Sequence, residues 1–167
     1  KAAEERGLRV TGCELVGLIP KQAVLDAADF YLKMQNRSLG IDEREKIKIA
    51  VKSLGLDDLK PFDPDKSVIE YVLAKDEPDG LVDMTLTAFA NETASESPAP
   101  GGGSISAYVG ALGVSLGTMV ANLSSHKRGW DDKWEQYSEW AEKGQGYKEQ
   151  LLHFVDEDTN AFNKIMT

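Results

Sequence analysis

Residues 100–125 read PGGGSISAYVGALGVSLGTMVANLSS, and how that run is taken decides the organisation of the chain. Three consecutive glycines after a proline open directly onto an uncharged stretch, so backbone N–H groups can face a ligand there without Cβ obstruction. A helix N-terminus favours negative or acceptor groups. The run Gly101-Gly102-Gly103-Ser104 is neither a P-loop nor a dinucleotide fingerprint, since no Gly-Lys-Ser/Thr ending and no G-x-G-x-x-G is present. It is either a flexible interdomain turn or a ligand cradle. From Ser104 to about Ser125 the pattern predicts one long apolar helix. On it Ser106, Gly110, Gly113, Gly117 and Ala121 share a face. Each interior glycine costs roughly 1 kcal/mol relative to alanine, so the stripe asks for a compensating contact with another helix or a ligand. Ile105 to Leu123 is also 19 residues without a charge, a length to be weighed as a membrane span. Ser106, Ser115, Thr118 and Asn122 dilute its hydrophobicity, and a buried central helix in a soluble bundle is expected instead.

Upstream, Ser95 to Gly103 reads as a Ser, Pro and Gly loop and Leu81 to Thr93 as helical. Lys75 to Gly80, with Pro and Gly and no apolar residue, is the linker candidate. Before it, Lys1 to Gly7 reads as the tail of a helix and Leu8 to Thr11 as a short strand. Gln22 to Met34 is helical by its apolar spacing. A further helix runs to Gly55, with Asp42 as N-cap and Glu45 completing a capping box. Val68 to Leu73 is of undecided type. Residues 1–74 thus form one part, 75–83 a linker and 84–167 a second part. The fold class is mainly α, a short α/β remnant followed by the first helices of a helical bundle.

Downstream, His126-Lys127-Arg128 is either a complement to the helix dipole or a docking point for a ligand carboxylate. Trp130, Trp134 and Tyr137 recur at helical spacing, as core or interface stripes do. A last helical pattern is interrupted near Gly144 and Gly146. In it Leu151, Phe154, Val155, Ala161, Phe162 and Ile165 form one apolar arc with Asp158 in its middle. An aspartate facing a core is costly unless partnered, and desolvation favours the proton-holding form that suits proton transfer. Asp158 is therefore the leading candidate for chemistry. The alternative is a carboxylate paired with Lys or Arg, or capping a neighbouring helix. His153 is read as structural.

The 19 basic and 28 acidic side chains give a formal charge of −9, which argues against nucleic acid or anionic membrane as partners. The imbalance is local: residues 1–75 hold 13 of each sign, and residues 76–167 hold 6 basic against 15 acidic. Cys13 is the sole cysteine, so no intrachain disulfide forms and a reducing compartment, the cytoplasm, is expected. No metal-ligand spacing stands out. The chain opens without Met and stops within a helical pattern, so it is expected to be a piece of a longer protein.

Thr11 to Pro20, Leu25-Asp26-Ala27-Ala28 and Leu54-Gly55-Leu56, followed by Ser97 to Ser104 and by Val155-Asp156-Glu157-Asp158 with Ala161-Phe162, resemble the bifunctional formimidoyltransferase-cyclodeaminases from end to end. Cys13 departs from a position more usually Ser. The resemblance implies the last part of the transferase joined to the opening of an all-helical cyclodeaminase. That family transfers a formimidoyl group from formiminoglutamate to tetrahydrofolate in histidine degradation. It then closes 5-formimidoyltetrahydrofolate to 5,10-methenyltetrahydrofolate with loss of ammonia. The family's transferase histidine lies in an absent upstream part, and neither His126 nor His153 matches it. The second Asp of the D-x-D-x-x-A-F pattern, here Asp158, is implied as cyclodeaminase proton donor and acceptor. The resemblance further implies a folate substrate near Gly101, Gly102, Gly103, Ser104 and Arg128, no tightly bound cofactor, and a homo-oligomer. A piece of this extent is expected to be inactive alone.

Overall fold

A computed structural model describes residues 3–9, 13–74 and 80–166. It is mainly helical, in two compact units. The first comprises Lys1–Asn36 with Asp42–Glu77, the second Arg37–Ile41 with Pro78–Thr167.

In the first unit, α1 (Lys21–Met34) and α2 (Glu43–Leu54) pack together, followed by the short α3 (Pro64–Ser67) and α4 (Ile69–Ala74). Their apolar faces meet in a core of Val24, Ala28, Ile47, Ala50, Val51, Leu56 and Val68. Pro20 precedes α1 as its N-cap. Asp42 caps α2 by accepting from Arg44 N–H at 2.9 Å. The capping box does not close, because Glu45 turns to the Lys48 ammonium instead. Gly55 ends α2 in the left-handed conformation, and Leu56 N–H donates to Val51 O at 3.0 Å, a Schellman closure. Val68 makes a parallel bridge with Ile19 before α4 begins, which resolves the undecided segment as bridge then helix. That bridge is the only β feature among the described residues. The expected strand at Leu8 to Thr11 is not formed at Leu8 and Arg9, and Val10 and Thr11 lie outside the described residues. The expected helix tail at Lys1 to Gly7 is a single 3-10 turn, Glu4–Arg6. Tyr71 hydrogen-bonds Glu43 at 2.6 Å while the Arg44 guanidinium lies 4.1 Å over its ring. Burial first, and then the Glu43 bond, push its phenol well above the usual range.

The second unit is built on an antiparallel pair, α6 (Gly102–Ser125) and α7 (Trp134–Met166), preceded by a 3-10 turn at Leu81–Asp83 and by α5 (Leu86–Thr93). Lys75 to Asp79 of the expected linker lie outside the described residues; its last residues form the 3-10 turn. Thr85 caps α5, accepting from Ala88 N–H at 3.1 Å. The helix α6 starts two residues earlier than expected, taking Gly102 and Gly103 into its first turn.

Its inward face is also displaced from the expected glycine stripe. The buried positions Ser104, Ala111, Thr118 and Ser125 repeat every seven residues, the spacing that keeps one seam against a partner helix. Gly110 touches Leu151 of α7, but Gly113 and Gly117 face open space. The buried central helix is thus realised on one face only. Val109, Leu112, Leu116, Met119 and Leu123 remain exposed, and α6 keeps the length and mean hydropathy, 1.5, that would cross a membrane. Nor is α7 broken at its glycines. Gly144 instead admits Thr118, whose hydroxyl occupies the place of a Cβ. Trp130 stacks on Tyr137 at 5.5 Å, with the Lys127 ammonium 4.3 Å from the indole, so the aromatic stripe is half-buried rather than core.

Candidate active site

The start of α6 is held by the far half of α7. Gly103 permits this, because the Asp158 carboxylate lies where its side chain would be. Ser104, 0% exposed, is the anchor. Its N–H donates to Asp158 Oδ2 at 3.0 Å, and its hydroxyl, 3.3 Å from the same oxygen, lies 2.7 Å from Val155 O and donates there. An N-terminal helix turn leaves N–H groups unpaired, and a carboxylate from a neighbouring helix satisfies one of them at Ser104 with charge assistance. Gly102 and Gly103 N–H find no hydrogen-bond partner among the described residues, and Asp158 Oδ1 accepts none there. Of the two structural alternatives, helix capping is the one realised.

This corrects the expectation that Asp158 faces a core. Asp158 is exposed, as are Phe154, Ala161, Phe162 and Ile165; of the arc only Val155 is buried, with Leu151 partly so. The reason is geometric. The seam of α7 toward α6 runs through Gly144, Leu151 and Val155, and the rest of the arc is rotated past it. What the arc lines instead is an open groove of about 740 Å³, bounded by Gly103 and Ala107 of α6 and by His153, Phe154, Glu157, Asp158, Asn160, Ala161 and Lys164 of α7.

Gly101, Gly102, Gly103, Ser104 and Asp158 are brought together. Arg128 is not. It is exposed in the turn beyond the other end of α6, and a helix of 24 residues spans about 36 Å at 1.5 Å per residue. Its neighbour His126 has its pKa lowered, first by burial and then by the Arg37 charge.

The sequence alone reads His153 as structural and assigns no role to Lys164 or Asp156. His153 lies 3.7 Å from Glu157, and Lys164 extends the same face of the groove; the spacing 153, 157, 160, 164 was the available signal. Asp156 Oδ1 accepts from Leu81 N–H at 2.6 Å, and Gly80 is required beside it because a Cβ would meet that carboxylate. Both aspartates of the motif therefore hold the start of another chain segment.

The chain matches two family models, the formiminotransferase domain over residues 1–74 and formiminotransferase-cyclodeaminase over residues 85–167. It is 41% identical over 165 residues to formimidoyltransferase-cyclodeaminase of Gallus gallus and 39% over 163 residues to that of Rattus norvegicus. These alignments cover 98% and 97% of this chain and 30% of each relative. Methenyltetrahydrofolate cyclohydrolase of Methylorubrum extorquens is 33% identical over 82 residues, 49% of this chain and 39% of that protein. The chain spans just under a third of the length of the bifunctional relatives, and with both models matched in order along it, it belongs to the formiminotransferase-cyclodeaminase family.

Proposed function

We propose that the chain is part of a folate enzyme that cyclises 5-formimidoyltetrahydrofolate to 5,10-methenyltetrahydrofolate with release of ammonia, fused to the transfer of a formimidoyl group from formiminoglutamate. Residues 1–74 are the transferase remnant, with its short α/β character, 75–83 the linker and 84–167 the opening of the cyclodeaminase. The observation that carries the reading is the Asp158 carboxylate, anchored through Oδ2 at a glycine-opened helix start, with Oδ1 free at an open groove.

Ring closure forms the bond from N10 to the formimidoyl carbon and breaks the bond from that carbon to the terminal nitrogen. With the formimidoyl group reacting as its amidinium, N10 loses one proton and the departing nitrogen gains one to leave as ammonia, so one carboxylate can take up the first and return the second. Asp158 Oδ1 is assigned that transfer. The Ser104 bond orients the carboxylate, and the open space beside Gly102 leaves room for the substrate near it. Arg128 joins the folate site only if it comes from outside this helix pair. The substrate is a tetrahydrofolate derivative, carrying one glutamate or a polyglutamyl tail, no cofactor is tightly bound, the protein is a cytoplasmic homo-oligomer, and the piece alone is inactive.

Replacing Asp158 by Asn in the full-length protein removes the proton carrier and keeps the shape. Formation of methenyltetrahydrofolate should fall by about 10²- to 10⁴-fold, while formimidoyl transfer continues. Undiminished cyclisation would overturn the assignment. A second reading, a helical assembly module without chemistry, is favoured by the exposed apolar row on α6. It predicts that Asp158→Asn changes nothing and that Leu116→Asp changes the sedimentation of the full-length protein.

A further inference from the structure

Residues Arg37–Ile41 connect α1 to α2 and lie inside the stretch matched by the transferase model, yet they belong to the compact unit of α6 and α7. Their seating is specific. Ser38 is 0% exposed, and its hydroxyl donates to Asn122 Oδ1 at 2.6 Å. Asn122 Nδ2 in turn donates to Gly40 O at 2.8 Å, an oxygen that also accepts from Gln145 Nε2 at 3.0 Å. Leu39 N–H donates to Ser138 Oγ at 2.9 Å, and that hydroxyl donates its own proton to Glu142 at 3.1 Å. Gly40 crosses α7 so closely that a Cβ would collide with the backbone of Ala141 and Glu142.

The chemistry on the two helices is that of a receptor for main chain. Asn122 is a poor helix former placed in a helix interior, and Gln145 is a second part-buried amide facing the same carbonyl. Burying such groups is costly unless they are hydrogen-bonded, and what they bond is the carbonyl of Gly40. A serine at 138 accepts the Leu39 amide proton, while the Gly40 N–H turns back to Ser38 Oγ at 3.2 Å. Recognition of this kind reads backbone groups plus one small side chain and excludes any side chain at 40, much as an added strand is read through its main chain. Nothing in the cyclodeaminase chemistry uses these residues, which lie at the opposite end of the helix pair from Ser104 and Asp158.

We propose that α6 and α7 carry a built docking site for a bent Ser-Leu-Gly backbone, and that Arg37–Ile41 of the same chain is its ligand, an intrachain clip by which transferase-part sequence completes the cyclodeaminase helix pair. Gly40 is its specificity-determining residue. The clip stands whether or not Asp158 moves a proton.

Amide hydrogen exchange on the full chain tests it. In the unaltered protein Leu39 N–H should exchange at least about 100-fold slower than in an unstructured peptide. Gly40→Val should abolish that protection and speed exchange across residues 138–145, while Ala50 and Val51 in the first core stay protected. Rapid exchange of Leu39 in the unaltered chain, or unchanged protection of 138–145 in Gly40→Val, would overturn the clip. Because Gly40→Val could lose the whole fold, a second measurement stands beside it: Ser38→Cys with Asn122→Cys in a Cys13→Ser background, oxidised in dilute solution. An internal disulfide running as monomer supports the clip. Failure to cross-link, or a disulfide-linked dimer showing that a second copy supplies the segment, refutes it.

Discussion

Inside the first unit are Val24, Ile47, Val51 and Val68, and its charged side chains are outside. The helix pair of the second closes instead on Ser104, Ala111 and Thr118, the last seated at Gly144, while Val109, Leu112, Leu116 and Leu123 face out. The first is held by apolar burial, which is non-directional and scales with area. The second is held by the close approach of Thr118 to Gly144 and by hydrogen bonds that only one register satisfies. Burial of apolar area confers stability, whereas such a seam confers alignment. An exposed apolar row of this length marks a surface for further contacts, so the second unit directs its apolar residues beyond the pair and keeps its polar ones for register.

The largest expected effect breaks this contrast directly. Ile47, 1% exposed, should cost about 2–5 kcal/mol of stability when cut to alanine, through lost burial and the cavity left behind. Leu116 on α6, 62% exposed, should change stability by less than about 0.5 kcal/mol when replaced by serine in this chain. Chemical denaturation of the two variants checks both, and equal losses would mean that α6 buries its apolar row after all. A smaller effect sharpens the contrast on the side of register. Gly103→Ala puts a Cβ into the Asp158 carboxylate; displacing that group leaves the Ser104 N–H without its acceptor, at about 1–3 kcal/mol. Unchanged exchange of the Ser104 amide in this variant would show that the carboxylate is not what holds it.

The smallest effect depends on pH. The His126 pKa is lowered from its ordinary 6.5 by burial and by Arg37, so below pH 6.5 the unfolded chain binds this proton more readily than the folded one. The stability it contributes is whole above about pH 6.5 and is lost as pH falls through the lowered folded value. Arg37→Gln should move the His126 titration, followed by NMR, back toward 6.5. A midpoint that does not move would remove Arg37 as a cause.

Helix existence was legible wherever apolar spacing or caps were strong. Asp42, Gly55 and the α6 run were read correctly as to type because each rests on local chemistry. The face that α6 turns inward was not legible. A rule that buries the apolar or the glycine stripe points to the wrong side, since the true seam of Ser104, Ala111, Thr118 and Ser125 makes sense only once Val155, Gly144 and the 37–41 segment are against it. For the same reason Asp158 was picked out correctly as the unusual residue on its helix, but its environment was misjudged. Helical spacing says which residues share a face and not what that face meets. Asp156 and Gly40 were invisible because their partners, Leu81 N–H and the Ala141 backbone, are main-chain groups that carry no sequence signal.

Helix α7 is unbroken from Trp134 to Met166, which makes it a shaft as well as a wall. Ser138 and Gln145 at one end and Asp158 and Lys164 at the other sit on a single rod, so their angular positions are related by counting residues alone. One residue added between Gly146 and Val155 would turn everything beyond it by about 100° at 3.6 residues per turn, carrying Asp158 away from Ser104 while the near end stayed engaged. Sequence change along this stretch is therefore constrained in phase more tightly than in composition: side chains can be exchanged there, but lengths cannot.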